Sequence, residues 1–184
     1  LEGRQGVDSA SRVGYLQSIC GVRVQMGAWK DVLVCANQLV SATGHSGDQR
    51  GADLRLALIY RATAQAALGN LAEARAVPAF VREYDDGETK RDRTRQHLLL
   101  ARLDRYLGGN RGELRARVDA VIAEATTMQD RGLELHGRLE RLALLARDRD
   151  PTTAAEAADL TARATTLGFI GVAKRAAIVA KGRR

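Results

Sequence analysis

The amino-acid sequence predicts an all-α protein made of about four antiparallel helical hairpins, each about 40 residues long. Turn signals recur at Gly27, Gly69, Gly109 and Asp150, which lie 42, 40 and 41 residues apart. The chain has only two prolines, and aromatic residues make up 4% of it, within a hydrophobic fraction of 45% that is rich in Ala and Leu. This composition favours helices over sheet, since strands are enriched in aromatic and β-branched residues.

The clearest unit is the segment ATAQAALGNLAEA at 62–74, which joins the end of one helix to the start of an antiparallel partner. Gly69 can adopt a positive φ at no steric cost and so end the first helix. Asn70 is predicted to cap the second helix, with Glu73 three residues later as in a capping box. The small residues Ala62 and Ala74 are expected to let the two helices approach closely.

The elements follow in chain order. Residues 1–8 are predicted to be a linker or a remnant of cloning, and the first helix is expected to begin at Ser9 or Ser11. The chain begins with Leu1 rather than Met, which suggests a piece of a larger protein. The repeat domain is expected over 9–184, with hairpins at 9–43, 50–85, 91–129 and 132–167 and a capping helix at 172–181.

Helix breakers separate these hairpins. They are Gly44 with Gly47, the segment 85–87, Gly132 and the segment 168–171. Pro78 lies inside the second helix of the second hairpin, where it removes a backbone donor and clashes with the preceding turn. The sequence therefore predicts that this helix is kinked or ends early, near Ala76.

The formal net charge of +7 would attract anionic partners, nucleic acid among them. All but four of the 29 basic residues are Arg, a bias that suggests a high-GC bacterial source. Acidic residues are interspersed among them, and the densest basic run is KRDRTR at 90–95. A nucleic-acid partner is accordingly not favoured, and a solvated basic helix face is the simplest interpretation.

No pattern of catalytic or metal-binding residues stands out. His45, His97 and His136 are isolated from one another and lack the spacing of metal ligands. There is no phosphate-binding glycine loop and no nucleophile motif. We therefore expect a protein without enzymatic activity, catalytic residues, cofactor or bound metal.

Cys20 and Cys35 fall on facing helices of the first hairpin. Because no apolar run is long enough to span a bilayer and no signal peptide is visible, a cytoplasmic location is expected, with no membrane partner. Disulfides are rare in that compartment. The sequence thus predicts two small thiols in the core rather than a disulfide.

The LG-N-x-x-EA pattern at 68–74, with Ala62 seven residues before the turn glycine, resembles a tetratricopeptide repeat. The repeat length near 40 is more similar to the long-helix tetratricopeptide-like domains of bacterial signalling proteins. Such domains are appended to LuxR-type and maltose-regulator-type transcription factors, nucleotide cyclases and serine/threonine kinases. The resemblance covers residues from about 9 to 181.

This resemblance implies a right-handed superhelix whose first helices line a concave groove that receives a peptide or protein segment. With the repeats aligned on Cys20, Ala62, Ala101 and Ala143, the positions carried over to the groove include Ile59, Thr63, Arg95, Arg102, Arg105, Tyr106, Gly137, Glu140 and Arg147. One end of such a groove is apolar and the other is rich in arginine. Since arginine matches carboxylate geometry, an acidic segment or a chain terminus is the expected guest.

Three functions remain open from the sequence. The first is a non-enzymatic binding or regulatory module for a protein or peptide, within a larger signalling or transcription-regulatory protein. The second is self-association, with the repeat stack as an oligomerisation platform built on exposed apolar residues at its ends. The third is nucleic-acid binding driven by positive charge, which would weaken steeply with added salt.

Overall fold

A computed structural model describes residues 2–43, 51–82 and 89–181, with side chains from residue 11 onward. Every regular element in these ranges is helical, which confirms the all-α prediction. The elements are α1 (Glu2–Met26), α2 (Trp29–Thr43), α3 (Ala52–Ala67), α4 (Leu71–Arg75), a short 3₁₀ helix (Ala79–Arg82), α5 (Lys90–Tyr106), α6 (Arg111–Thr127), α7 (Arg131–Asp148), α8 (Thr153–Thr166) and α9 (Ile170–Ala180). The predicted breakers at Gly44, Gly47 and 85–87 lie outside the described residues.

The chain divides into two compact units, Leu1–Glu88 and Thr89–Arg184, here called unit 1 and unit 2. Unit 1 contains α1 to α4, and unit 2 contains α5 to α9. Helices that follow one another in a unit pack as neighbours, as expected for hairpins. A right-handed superhelix running through all four hairpins stays a prediction.

Unit 1 is built on α2, which packs against both α1 and α3. Side chains on its inner face, Val32, Ala36 and Leu39, have no exposed surface. Their spacing of three and four residues places them on one side of the helix, so burying that side fixes the helix between its two neighbours. The buried face of α2 is thus apolar along these three positions.

A disulfide joins Cys20 on α1 to Cys35 on α2, which corrects the expectation of two free thiols. Both residues are completely buried, and their Cα atoms are 5.8 Å apart. That separation falls within the range of about 4.4–6.8 Å that a disulfide requires. The expectation failed because it was drawn from the presumed compartment rather than from the distance between the two helices.

Helix α1 begins at Glu2 rather than at Ser9 or Ser11. The segment 2–8 contains no proline, and its backbone continues the helix without an interruption at either serine. The structure therefore places helix where the sequence analysis predicts a linker. A serine at the expected position is a weak signal of a helix start when nothing before it stops the helix.

The second helix of the second hairpin ends early, before Pro78, as predicted. Helix α4 has only five residues and closes at Arg75, with Ala76 as its C-cap. The chain then resumes as the 3₁₀ helix, in which Val81 is fully buried. The second helix of this hairpin is therefore a single turn rather than a full partner to α3.

Gly69 adopts φ +90° and ends α3, as its sequence context predicts. The amide of Asn70 donates to the carbonyl of Gln65 at 2.9 Å, which closes the helix end. The side chain of Asn70 does not cap α4. Its amide nitrogen donates instead to Oε1 of Gln65 at 2.7 Å, which corrects the predicted capping box.

Unit 2 places α5, α7 and α9 side by side, because α7 contacts both of the others. Helix α6 packs on α5 and α7, and α8 packs on α7 and α9. The last helix buries Val172, Ala173 and Ala176 against leucines of α7 and α8. It therefore covers an apolar surface of the last hairpin, as expected for a capping helix, and begins two residues before the predicted start.

In three turns of unit 2, the residue with the left-handed conformation is not the predicted one. Gly108, not Gly109, has the positive φ after α5. After α6 and α7 the left-handed residues are Gln129 (φ 57°) and Arg149 (φ 55°) rather than a glycine, and Gly132 lies inside α7. Side-chain caps compensate at two helix starts, where Asn110 accepts from the amide of Glu113 and Asp130 from that of Leu133.

Candidate functional site: an arginine cluster in unit 2

The centre of the candidate site is Glu140 on α7, bonded by two arginines of α5. Nε of Arg102 donates to Oε2 of Glu140 at 2.9 Å, and Nε of Arg105 donates to Oε1. The side chains of Glu140 and Arg102 are 2% and 3% exposed, and that of Arg105 is 15% exposed. We call these three residues the Glu140 node.

The electrostatics of the node follow from this burial. Burial alone would raise the pKa of Glu140, but the charges of Arg105 and Arg102 and the hydrogen bonds from both outweigh it and lower that pKa to about 2. For Arg105, burial would lower the pKa, and the Glu140 carboxylate outweighs it and raises the pKa. Glu140 and Arg105 are therefore both charged at neutral pH.

Tyr106 and Arg147 surround Arg105. The guanidinium carbon of Arg105 lies 4.4 Å from the centre of the Tyr106 ring. Nη1 of Arg147 donates to the carbonyl oxygen of Arg105 at 3.2 Å, near the C-terminus of α5. A cation at that end of a helix is favourable, because the last carbonyls carry partial negative charge. Arg147 therefore fixes the end of α5 in place beside the node.

A second set of basic side chains runs across the three neighbouring helices. Arg95, His136 and Arg175 are the sixth residues of α5, α7 and α9 respectively. Helix α7 contacts both α5 and α9, and the charges of Arg95 and Arg175 both act on His136. All three side chains are partly exposed, and we call them the basic row.

Burial and neighbouring arginines lower the pKa values of His136 and Arg175. Burial and the nearby charges of Arg102, Arg175 and Arg95 lower the pKa of His136 to about 3, although Asp130 opposes them. Burial, together with the charges of Arg102 and Arg105, lowers the pKa of Arg175 to about 10 against the opposing effect of Glu140. At neutral pH His136 is therefore neutral and Arg175 is charged.

The structure brings together most of the residues that the sequence assigned to the arginine-rich end of the groove. Arg102, Arg105, Tyr106, Glu140 and Arg147 are connected by the contacts above. Arg102, however, is buried and paired with Glu140, so it acts from beneath the surface. Sequence position alone cannot distinguish an arginine that is paired within the protein from one that faces a guest.

Ile59 and Thr63, assigned to the apolar end of the groove, lie in unit 1 and have no exposed surface. The hydroxyl of Thr63 donates to the carbonyl oxygen of Ile59 at 2.8 Å, so its polar group is satisfied inside its own helix. Neither side chain is open to a ligand. The assignment is corrected here, because α3 buries most of its circumference.

Gly137 is also misplaced by the assumed register. A Cβ atom at this position would lie 2.8 Å from Cγ1 of Ile122, so the residue faces α6 rather than the surface of α5, α7 and α9. Glycine leaves room there for the side chain of Ile122 on α6. The position serves packing, not ligand binding.

Two members of the basic row were missed by the sequence analysis. His136 was considered only as a metal ligand or catalytic residue, and Arg175 lies on a helix treated only as a cap. Counting from the first residue of each helix would have found both, since the helices that contain Arg95, His136 and Arg175 begin 41 and 39 residues apart. A spacing of about 40 residues between helix starts therefore also includes α9.

A second buried carboxylate lies on α7, one and a half turns before Glu140. Glu134 contacts Arg131 at 3.2 Å, Arg138 at 3.3 Å and Arg163 of α8 at 2.8 Å. Its own side chain is 2% exposed, but those of the arginines are 52%, 23% and 36% exposed. This Glu134 node provides an internal reference for the Glu140 node.

Among the described residues, no group of three or more His, Cys, Asp or Glu side chains is placed to hold a metal ion. Within the same residues, no helix is both long enough and apolar enough to cross a membrane. Comparisons with protein-family models, with curated proteins and with solved structures find no match to this chain. The tetratricopeptide-like resemblance stays a prediction based on the residues quoted above.

Proposed function

We propose that this chain is a non-enzymatic protein-binding module that holds an acidic protein segment on the surface formed by α5, α7 and α9. The observation that carries the proposal is the concentration of arginines around Glu140 and His136. Arg102 and Arg105 bond Glu140, and the charges of Arg95, Arg102 and Arg175 act on His136. Arginine matches the geometry of carboxylates, which an acidic segment would supply.

Two groups of side chains contribute to the proposed surface, one buried and one partly exposed. The Glu140 node is buried and held by two charge-assisted hydrogen bonds, so its arginines are fixed in position. Arg95 and Arg175 lie in the partly exposed basic row and are the cations that a guest could reach. A site whose charges are fixed before binding loses less entropy when a partner arrives.

This proposal keeps the wider expectations drawn from the sequence. They are a tetratricopeptide-like stack, a concave binding surface and membership in a larger bacterial signalling or transcription-regulatory protein. The cytoplasmic location expected from the sequence loses support, because the disulfide between Cys20 and Cys35 is typical of an oxidising compartment. Nucleic-acid binding is less well supported, because acidic residues are interspersed among the basic ones.

The test is the affinity for two model peptides, one alternating Glu with Ala and the other alternating Lys with Ala. Calorimetry of the full chain in 150 mM salt should detect binding of the acidic peptide only. Neutralising Arg95→Gln and Arg175→Gln together should weaken that binding by about tenfold or more. The matched control, Arg115→Gln with Arg163→Gln, removes the same charge from α6 and α8. Equal losses in both variants would reject the proposed surface.

A second candidate function, self-association, is favoured by an apolar stripe on α1. Tyr15, Val22 and Met26 are 65%, 54% and 70% exposed, and their spacing of seven and four residues aligns them on one face. A second copy of the chain could cover this stripe. Light scattering of the wild-type chain and of Val22→Lys with Met26→Lys checks it, since the variant should be monomeric at concentrations where the wild type is not.

A further inference from the structure

The last helix of unit 2, α9, has an outer face that is exposed and partly apolar. One side of α9 packs on α7 and α8 and contains its buried residues, Val172, Ala173 and Ala176. On the opposite side, Ile170 and Ile178 are each 49% exposed, and Lys174 is exposed midway between them. Lys181, directly after the helix, is exposed as well. We call these four residues the α9 outer face.

The same register is buried in the two preceding helices at this place in the repeat. Ile178 is the ninth residue of α9, and Leu98 and Leu139 are the ninth residues of α5 and α7. Leu98 is 4% exposed and clusters with residues of α6 and α7. Leu139 is 3% exposed and clusters with residues of α8 and α9. Helices that follow in the chain thus cover α5 and α7 at this register, whereas α9 is open to solvent there.

The fifth residue of each helix differs in chemistry as well as in exposure. In α5 and α7 it is Thr94 and Leu135, and neither has any exposed surface. In α9 it is Lys174, which is exposed. A terminal helix that only faced water would be polar over its whole outer face. The α9 outer face instead keeps two half-exposed isoleucines beside its two lysines.

We propose that the α9 outer face binds an amphipathic helix of another protein, with an apolar row that acidic residues flank. The apolar row would pack on Ile170 and Ile178, which are half exposed in this chain. The flanking carboxylates would meet Lys174 and Lys181. The surface is separate from the function proposed above, because it requires apolar contact and not only acidic charge.

Helix α8 shows how a helix of this kind covers its neighbour within the same unit. It packs through a buried apolar row, Ala157, Leu160 and Ala164. Acidic residues beside this row pair with α7, since Glu156 lies 2.8 Å from Arg141 and Asp159 lies 3.3 Å from Arg138. A partner helix on α9 would repeat this arrangement. Lysines would replace the arginines and would attract the carboxylates as point charges rather than through a fork.

The test is fluorescence anisotropy of labelled model helices with the full chain in 150 mM NaCl. Each peptide has about 18 residues, which give about five turns of helix. The acidic helix has a row of Leu flanked by Glu in an Ala-rich sequence, and the basic helix has Lys in place of each Glu. The acidic helix should bind about tenfold or more tightly than the basic helix. An unlabelled peptide that alternates Glu with Ala should not displace it, because that peptide has no row of Leu.

Variants locate the binding site. Ile178→Gln should weaken binding of the acidic helix by about tenfold or more, because it removes apolar contact area. Lys174→Gln with Lys181→Gln should weaken it by about three- to tenfold and reduce its salt dependence. The matched control is Val34→Gln, which removes a 56% exposed apolar side chain from α2 and should have little effect. If Ile178→Gln unfolds, as judged by circular dichroism, Ile170→Gln replaces it.

Each other outcome overturns the inference in a different way. Equal affinity for the acidic and basic helices rejects an acidic partner, and no binding of the acidic helix rejects the docking surface. Displacement by the Glu and Ala peptide would assign the binding to the surface described under the proposed function. A loss with Val34→Gln as large as with Ile178→Gln would reject the location. Dimers in light scattering that Ile178→Gln converts to monomers would make the face an interface between copies of this chain.

Discussion

Helix α7 contains two buried glutamates, six residues apart, that solve the same physical problem in different ways. Glu134 and Glu140 are each 2% exposed, and both are paired with arginines. The arginines of Glu134 come from α7 and α8 and remain 23–52% exposed. Those of Glu140 come from α5 and are 3% and 15% exposed.

The difference in the exposure of the arginines determines how strongly each node acts on neighbouring titratable groups. At the Glu134 node the arginines are partly exposed, so solvent screens their charge. Near the Glu140 node, burial and the charges of neighbouring arginines together lower the pKa values of His136 and Arg175. The first node is a structural clamp between α7 and α8, and the second is the base of a cationic surface.

The largest effect should come from Glu140→Gln. This change keeps the shape of the side chain but leaves Arg102 buried without its counter-charge, which should lower the free energy of unfolding by about 3–5 kcal/mol. Glu134→Gln should cost only about 1–2 kcal/mol, because the exposed arginines can rehydrate. Urea unfolding followed by circular dichroism measures both. Equal losses would contradict the distinction between the two nodes.

The segment between the two glutamates offers the next test. Gly137→Ala would place a Cβ atom 2.8 Å from Cγ1 of Ile122 and should cost about 1–3 kcal/mol of unfolding free energy. In an Ile122→Ala background most of this cost should vanish, since the conflicting atom is gone. Gly171→Ala, in a helix with nothing within 4 Å of the new atom, is the control and should be neutral or stabilising. A neutral Gly137→Ala would mean that α6 and α7 can separate without penalty.

A smaller effect is the pH dependence of the free energy of unfolding that His136 and Glu140 cause. His136 has a folded pKa of about 3, below the unfolded value near 6.5, so the unfolded chain binds its proton first as the pH falls. Its contribution to stability is therefore complete above about pH 6.5 and is lost as the pH falls toward 3. Glu140 adds a loss at lower pH, between its unfolded value near 4.3 and about 2.

The measurement is the urea midpoint of the wild type and of His136→Gln between pH 7 and 5. The free energy of unfolding of the wild type should fall by about 1–2 kcal/mol more than that of the variant over this range, because only the wild type has this titrating group. His97, whose pKa is also lowered by burial, remains in both proteins and cancels in the difference. Parallel pH profiles would show that His136 is not held neutral by the arginines around it.

Much of the fold could be predicted because its signals are local. The turn at Gly69 and the break before Pro78 depend on the conformational limits of single residues, and both are present in the structure. The turns at Gln129 and Arg149 could not be found this way, because neither residue type indicates a left-handed conformation. The disulfide between Cys20 and Cys35 depends on the distance between two helices, which periodicity alone does not give.

The candidate site was only partly predictable, for a different reason. A repeat register identifies residues that share a surface, and it grouped Arg102, Arg105 and Glu140 correctly on neighbouring helices. It does not say how deeply a side chain is buried, so Arg102 and Glu140 were assigned to a guest when they bind each other. Arg175 was missed because its helix was treated as a cover rather than as another member of the repeat.

The smallest predicted effect is that of removing one arginine from the Glu134 node. Arg163→Gln removes one arginine from the Glu134 node and should lower the unfolding free energy by less than about 1 kcal/mol, since this side chain is 36% exposed and two other arginines remain. Arg102→Gln is the matched change at the Glu140 node and should cost several times more. If urea unfolding gives Arg163→Gln the larger loss, the clamp between α7 and α8 would be the stronger of the two, and the charge at Glu140 would be better screened than its burial implies.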